Sequence, residues 1–588
     1  MSKQEETAVV VVETKDEQEL VNLEGVESTK VVVVNDLEDG KGPQGTEDFA
    51  DAVRVQLSKS AFISVYIGLL LAILLAALDQ TIVATALKAI VDDFGHQDLI
   101  PWIGSAYLLT AAPLSTLYGK FADIFGRKWV FVFAIVMFEL GSALCGAATS
   151  MEFLIAGRAI AGIGGGGIFS LVLIIISDIV SIRDRGKYQG AIGACFGLAS
   201  VVAPLLGGAF SDHVTWRWCF YINLPLGCIT LATVIAFLNF PKEEGTIREK
   251  INRIDGLGAT LLFISIVLLV TPLQLGGSIW DWNSTQSIVC FVLSVVVFAV
   301  FVYVELKVAK EPIVPAAIFV NSSVPAFLGI AVLLGGGFLS GIYFISLFFQ
   351  VVFDSSATSA GLQILPAVVG LTITSIGSGI LISKNGQYKY FLFVGPVILA
   401  VGVVLISFLD GDSSTFAKIF YLFVFGLGVG CMIQVRVLGL QASVPRELIA
   451  IATAVATTCN SLGAAIGIAI TGTLFNNVVV SKTADNKELQ FFVAQLNARG
   501  IPAKTSEVLP LRALLDASAA FYPKDNAIAA AQYNATLALA RSELIAGFNG
   551  AFKTAYLALI PYPVLIFILA LFVKQVVLSK KAAATAAH

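Results

Sequence analysis

Residues 154–227 read LIAGRAIAGIGGGGIFSLVLIIISDIV (154–180), SIRDRGKYQGAIGACFGLASVVAPLLGGAF (181–210) and SDHVTWRWCFYINLPLG (211–227). Two of these runs are apolar and long enough to cross a bilayer, and a short basic link from Arg183 to Lys187 joins them. Arg158 stands alone among apolar residues beside a run of glycines, and the second run closes on Pro204, Gly207 and Gly208. An arginine in hydrocarbon is costly, so it must face protein or a wet cavity. Dense glycine lets helix backbones approach closely, and proline is tolerated where neighbours satisfy the freed carbonyl. A costly charge on closely packed, bendable helices reads as part of a transport path that moves.

The rest of the 588 residues agrees, with 57% hydrophobic against 13% charged, an apolar excess no soluble domain needs. Apolar runs recur near 61–87, 102–118, 129–148, 152–177, 189–211, 219–239, 257–276, 287–306, 324–349, 360–382, 391–409, 416–437, 448–475 and 552–577. They predict an all-α polytopic membrane protein with about fourteen spans. With the N-terminus in the cytosol, the even-to-odd links carry roughly fifteen Lys and Arg, from Lys120 to Arg446. The short links on the other side carry almost only Arg217. That bias places both termini in the cytosol. Residues 1–60 are polar and acidic, with valine runs Val9–Val12 and Val31–Val34, and read as a disordered cytosolic tail. Residues 578–588 form a second cytosolic tail, and 476–550 a long outer loop.

A net charge of −4 offers no basic face, so no nucleic-acid partner is expected. The seven cysteines lack CxxC spacing, and His96, His213 and His588 form no cluster, so no metal and no cofactor are expected. No span carries a nucleophile–base pair, which argues against an enzyme. Asn283 and Asn534 head sequons on outer links and are candidate glycan sites, whereas Asn321 heads one on a cytosolic link and is expected bare.

Asp79, late in the first span, reads either as a proton carrier partnered by Arg158 or as half of a fixed ion pair. Between the second and third spans, Gly119, Asp123, Gly126, Arg127 and Lys128 read as a cytosolic gate, with simple charge anchoring as the plainer alternative. Glu139 is a second intramembrane acid, either relaying protons or bonding within the bundle. Asp178 and Arg185 read as a surface ion pair. Gln350, Gln434 and Arg436 put polar groups into apolar spans. With Glu139, the two glutamines are candidates to line a substrate cavity, against helix-to-helix hydrogen bonding.

At these motifs the chain resembles the major facilitator superfamily, and more narrowly its fungal fourteen-span drug:proton antiporters. GKFADIFGRK (119–128) matches the family's loop between spans two and three, LIAGRAIAG (154–162) its span-four motif around Arg158, and ASVVAPLLGG (199–208) its span-five antiporter motif. LDQTIVATAL (78–87), WRWCFYINLPLG (216–227), GLQILP (361–366) and LGLQASVP (438–445) are similar too. Departures are Ala203 for a glycine before Pro204, Lys88 for a proline and Ala161 for a glutamine. The resemblance implies the major facilitator fold: six-helix halves at 61–240 and 311–577, with two extra central helices in 241–310. It implies proton coupling at Asp79 and Arg158, a gate at Asp123, Arg127 and Lys128, and an antiporter bend at Ala203, Pro204, Gly207 and Gly208. The expected activity is export of lipophilic small molecules such as drugs, toxins or secondary metabolites, driven by protons, by a monomer in the plasma membrane. Uptake or vacuolar storage of a basic amino acid or iron chelate is a second reading, in which the membrane is vacuolar. A non-transporting receptor signalling through the acidic tail is a third.

Overall fold

The computed structural model describes residues 9–14, 17–22, 58–95, 99–238, 245–276, 279–353, 355–483 and 527–576, with isolated positions between. The long helices are α1 (Lys59–Phe94), α2 (Ile100–Phe125), α3 (Arg127–Gly146), α4 (Met151–Ile179), α5 (Ile182–His213) and α6 (Asn223–Phe237). Then come α7 (Gly256–Leu275) and α8 (Thr285–Lys307). The series closes with α9 (Ser323–Val352), α10 (Leu365–Asn385), α11 (Lys389–Ile406), α12 (Thr415–Ile433), α13 (Ile449–Thr483), α14 (Ala527–Leu557) and α15 (Pro561–Phe572). Among the described residues, thirteen crossings are both long and apolar enough to span a bilayer, the last being α14 and α15 together. The helix α2 has 26 residues but carries Pro113, Lys120 and Asp123, so its length rather than its hydropathy marks it as the fourteenth. Each crossing matches one apolar run of the sequence.

Serines set where several helices begin. Ser150, Ser181, Ser284 and Ser414 each accept a backbone N–H three residues on, satisfying a donor the helix leaves free at its N-terminus. At Gly126 the chain turns directly from α2 into α3 with φ of 88°, which only glycine adopts without strain.

Packing repeats. The helix α1 lies against α5 and α6, α2 against α4, and α3 against α4 and α6; then α9 lies against α13 and α15, α10 against α12, and α11 against α12 and α15. Glycines explain the tightest of these contacts. Gly162 and Gly166 press on the carbonyls of Tyr107 and Ala111 in α2, and Gly164 on the backbone of α3 at Ala134 and Phe138, where a Cβ would collide. Gly426, Gly428 and Gly430 repeat that spacing in α12, against Ala367 and Leu371 of α10 and Leu399 of α11. Close backbone approach at small residues is the usual source of helix association in lipid. The two halves keep separate cores, one around Phe131 and Phe138, the other around Phe327, Phe348 and Phe425. Helices α7 and α8 pair with each other, and α7 packs on α2 and α13, one helix from each half, around Ala112, Leu117, Leu262 and Ile266.

Three expectations change. Val9–Thr14 (β1) and Glu17–Asn22 (β2) pair as an antiparallel hairpin, Val9 opposite Asn22, within the segment expected to be disordered; the rest of that tail lies outside the described residues. The helix α13 runs on to Thr483 and α14 begins at Ala527, so the expected outer loop is helical at both its ends. The helix α5 starts at Ile182, which makes the basic link its first turn rather than a connector.

Candidate functional site

Arg158 lies deep between helices. It is 2% exposed and Asp79 is fully buried, and its Nη1 donates to Asp79 Oδ2 at 2.6 Å. Arg158 Nε donates to the Ile103 carbonyl at 3.1 Å, and the guanidinium lies 4.7 Å from the Tyr107 ring centre and 6.0 Å from that of Phe220. Asp79 Oδ1 accepts from Asn223 Nδ2 at 3.3 Å, and the same amide donates to Ser142 Oγ at 3.1 Å. Helices α1, α2, α3, α4 and α6 thus meet on one buried ion pair. A buried charge survives only when paired and hydrogen-bonded, and both members here are. Asn223, which orients the carboxylate, was not singled out from sequence; its signal was an amide at the start of an apolar span, inside WRWCFYINLPLG.

Glu139 lies near this pair in α3. Both its carboxylate oxygens are buried without a hydrogen-bond partner among the described residues. The carboxylate fills the space where a side chain at Gly227 of α6 would stand, and Asp79 is its charged neighbour. Gln350 Nε2 donates to Ser346 in its own helix, at 3.3 Å to the carbonyl and 3.2 Å to Oγ. Gln434 occupies the break where α12 ends and the short helix Val435–Ala442 begins.

The gate residues divide. Arg127 pairs with Asp123 at 2.7 Å and with Asp178 of α4 at 3.0 Å, and donates to the Ala122 carbonyl at 3.1 Å. Asp178 thus pairs from α4 with Arg127 at the start of α3 and not with Arg185. Lys128 points away, its Nζ donating to the Ile235 carbonyl of α6 at 2.8 Å. Gly119 allows α2 to touch α13: a Cβ there would stand 2.7 Å from Ala454 Cβ and 2.9 Å from the Ala450 carbonyl.

The contacts that join the halves at this basic end come from the basic link, from Arg185, which by sequence alone reads as half of a surface pair, and from residues not singled out from sequence. Arg183 donates to the backbone carbonyls of Ser383 and Lys384 at the end of α10, and Ser383 Oγ donates to Asp184 Oδ1 at 2.7 Å. Arg185 is buried, donating to the Ser177 carbonyl at 2.5 Å and reaching Gln441 Oε1 at 3.5 Å. Gln189 also donates to Gln441 at 3.3 Å, and Gln441 passes the chain on to Thr453 of α13 at 3.1 Å. Further in, Thr116 and Thr458 bond across the halves at 2.7 Å. The basic end is closed.

Over residues 199–208, α5 stays helical through Pro204, and Ala203 is fully buried. Gly207 lets α5 meet α1 at Thr85 and Ile82, while Pro204 and Gly208 face Gly361 and Thr358 of the other half. Asn283 is exposed in the turn before α8, and Asn534 lies within α14. Asn321 donates its amide to the Ser443 carbonyl at 2.9 Å. The Lys88 side chain lies outside the described residues.

A buried ion pair in a doubled six-helix bundle, with a closing latch at one end, is the frame of a carrier, and comparison with known proteins decides which. Residues 69–468 match the family model described as Major Facilitator Superfamily. The chain belongs to the major facilitator superfamily. Within it, the chain is 39% identical to the MFS-type efflux pump MFS1 of Arthroderma benhamiae, over 70% of this chain and 78% of that one. It is 37% identical to the efflux pump roqT of Penicillium rubens, over 71% and 78% of the two chains. It is 36% identical to the efflux pump FUS6 of Gibberella moniliformis, over 72% and 75%. Among solved structures, the human organic anion transporter MFSD10 (TETRAN) shares the fold, with a TM-score of 0.50, 17% identity, and 70% and 93% of the two chains covered. This superfamily member is a multi-pass membrane transporter of small molecules.

Proposed function

We propose that this transporter exports lipophilic small molecules in exchange for protons. The observation that carries the reading is the Asp79–Arg158 pair, buried at 2.6 Å where five helices of one half meet. Such a pair is a switch as well as a brace. With Asp79 ionised, Arg158 is neutralised and the helices stay drawn together. A proton on Asp79 takes the counter-charge away and leaves a buried guanidinium that must find another acceptor, so the half repacks. Asn223 and Ser142 hold the carboxylate in place through both steps. Glu139, ionisable and unpartnered one helix away, is a second place for the same proton. Inward proton flow through these acids drives alternating access, and outward substrate movement follows.

The fungal relatives named as efflux pumps support the direction, and the basic bias of the links supports cytosolic termini, with the closed basic end facing the cytosol. Asp123, Arg127 and Asp178 brace that end, and Arg183, Asp184 and Gln441 latch it. The plasma membrane is the proposed site and the monomer the working unit, with glycan at Asn283 and Asn534.

The test is flux in proteoliposomes under an imposed pH gradient, with wild type, Asp79→Asn and Arg158→Ala side by side. Gradient-driven substrate movement lost in both variants supports the mechanism. Wild-type transport that ignores the gradient overturns proton exchange while leaving a carrier.

A further inference from the structure

Arg436 is buried, as Arg158 and Arg185 are, and it is placed differently from both. It is 8% exposed, on the short helix Val435–Ala442 that follows the break at Gln434. Its Nε and Nη1 are buried without a hydrogen-bond partner, and no carboxylate pairs with it among the described residues. The ionisable group acting on it is the Cys459 thiol of α13. Cys459 is flanked by Thr458, which bonds to the opposite half at Thr116 and Ala112, and by Asn460, whose carbonyl abuts Gly335 of α9. Arg436 thus lies beside the stretch of α13 whose Thr458 reaches the opposite half.

Counted from the glycine repeat, the other half carries no charge at the corresponding sequence position. Arg436 stands six residues past Gly430 as Val172 stands six past Gly166, and Val172 is a fully buried valine in the equivalent part of α4. An apolar side chain fills that position in one half; a guanidinium occupies it in the other. Arginine stays protonated at any working pH, and burying it unpaired is strongly unfavourable. Arg158 is already satisfied by Asp79, and Arg185 bonds to the Ser177 carbonyl and Gln441, which leaves Arg436, among the described residues, as a buried guanidinium with donors to spare.

We infer that Arg436 binds the anionic group of the substrate, and that the cargo class includes lipophilic organic anions: carboxylates, sulfonates or enolates carried on an apolar body. The planar donor fork suits such a group, and the apolar short helix that carries it, with Val435, Val437 and Leu438 buried, suits the rest of the molecule. The exporter reading supplies only the direction of travel; binding at Arg436 does not depend on proton exchange.

The experiment is thermal unfolding of the full chain in detergent, without a pH gradient, against two xanthene dyes of similar shape, anionic fluorescein and cationic rhodamine 123. Wild type is expected to gain stability with fluorescein. Arg436→Gln should need at least about tenfold more dye for the same gain, the loss of one charge-assisted contact, and Arg436→Lys should recover part of it. Rhodamine 123 should not distinguish the three proteins. The inference falls if fluorescein leaves wild type unchanged or stabilises Arg436→Gln equally. It falls too if sodium chloride at the same concentration stabilises as well as the dye, which would make this an inorganic-anion site. Gradient-dependent flux, measured separately, tests the exporter reading, so the two can fail independently.

Discussion

At the scale of single residues, the buried pair makes a strong demand. Removing one partner leaves the other charged in a place without water, so Arg158→Ala should destabilise the protein by about 3–5 kcal/mol. Asp79→Asn with Arg158→Ala together should lose less than the sum, read by thermal unfolding of the two single variants and the double. Glu139→Gln mimics the protonated acid in the same space beside Gly227. It should leave unfolding unchanged while flattening the dependence of flux on the pH gradient, since the amide can neither take nor give the proton. At the far end, Arg217 Nη1 and Trp216 Nε1 both donate to Asp93 Oδ2, at 2.9 and 3.1 Å. The bond from Arg217, then that from Trp216, holds this carboxyl below its ordinary pKa. A depressed folded value means the contact stabilises above the unfolded pKa and is lost as pH falls through the folded one. Arg217→Ala should therefore lose more stability at neutral pH than in strong acid, in a titration of unfolding temperature. In acid only its bond to the Ala148 carbonyl and its stacking on Trp216 and Phe94 are missing.

At the scale of helices, the glycines carry the argument. Gly166→Val and Gly430→Val force apart the same pair of helices in the two halves, α2 from α4 and α10 from α12. Each should cost about 1–3 kcal/mol by overpacking, by thermal unfolding, and the near-equality of the two losses would report the repeat. Most of the helices were legible in the sequence, because twenty apolar residues in a row have few other uses and a charge inside such a run must turn inward. Asp79 and Arg158 were legible as partners for that reason. Asn223 and Gln441 were not, since an amide gives no hint of which distant segment it will meet. Arg185 looked like a surface residue because the link carrying it is short and basic, yet α5 begins inside that link and turns its side chain inward. The glycine repeat was present in the letters but invisible as a pattern until the carbonyls it touches were in place. The valine run at Val9–Val12 lacked the alternation of a half-buried strand, and its pairing partner, Glu17–Asn22, is mostly polar.

At the scale of the whole molecule, the bonds between α5 and α10 hold the halves together at the basic end. Arg183→Ala with Asp184→Ala removes the bonds to Ser383 and Lys384 that hold the halves together there, and should shift the population toward an open basic end. Spin labels at Lys187 and Gln387, both exposed, should report longer distances in the double variant than in wild type. An unchanged distribution would mean the Thr116–Thr458 and Gln189–Gln441 contacts suffice alone. The halves meet along two seams, α2 with α13 and α5 with α10, and α7 with α8 covers the first. In the plane of the bilayer the molecule therefore has a back and a front. Molecules dissolved in the leaflets meet a wall two helices thick at the back. At the front they meet α5 and α10, so entry from the leaflets is expected on that side alone, next to the contacts that join the halves.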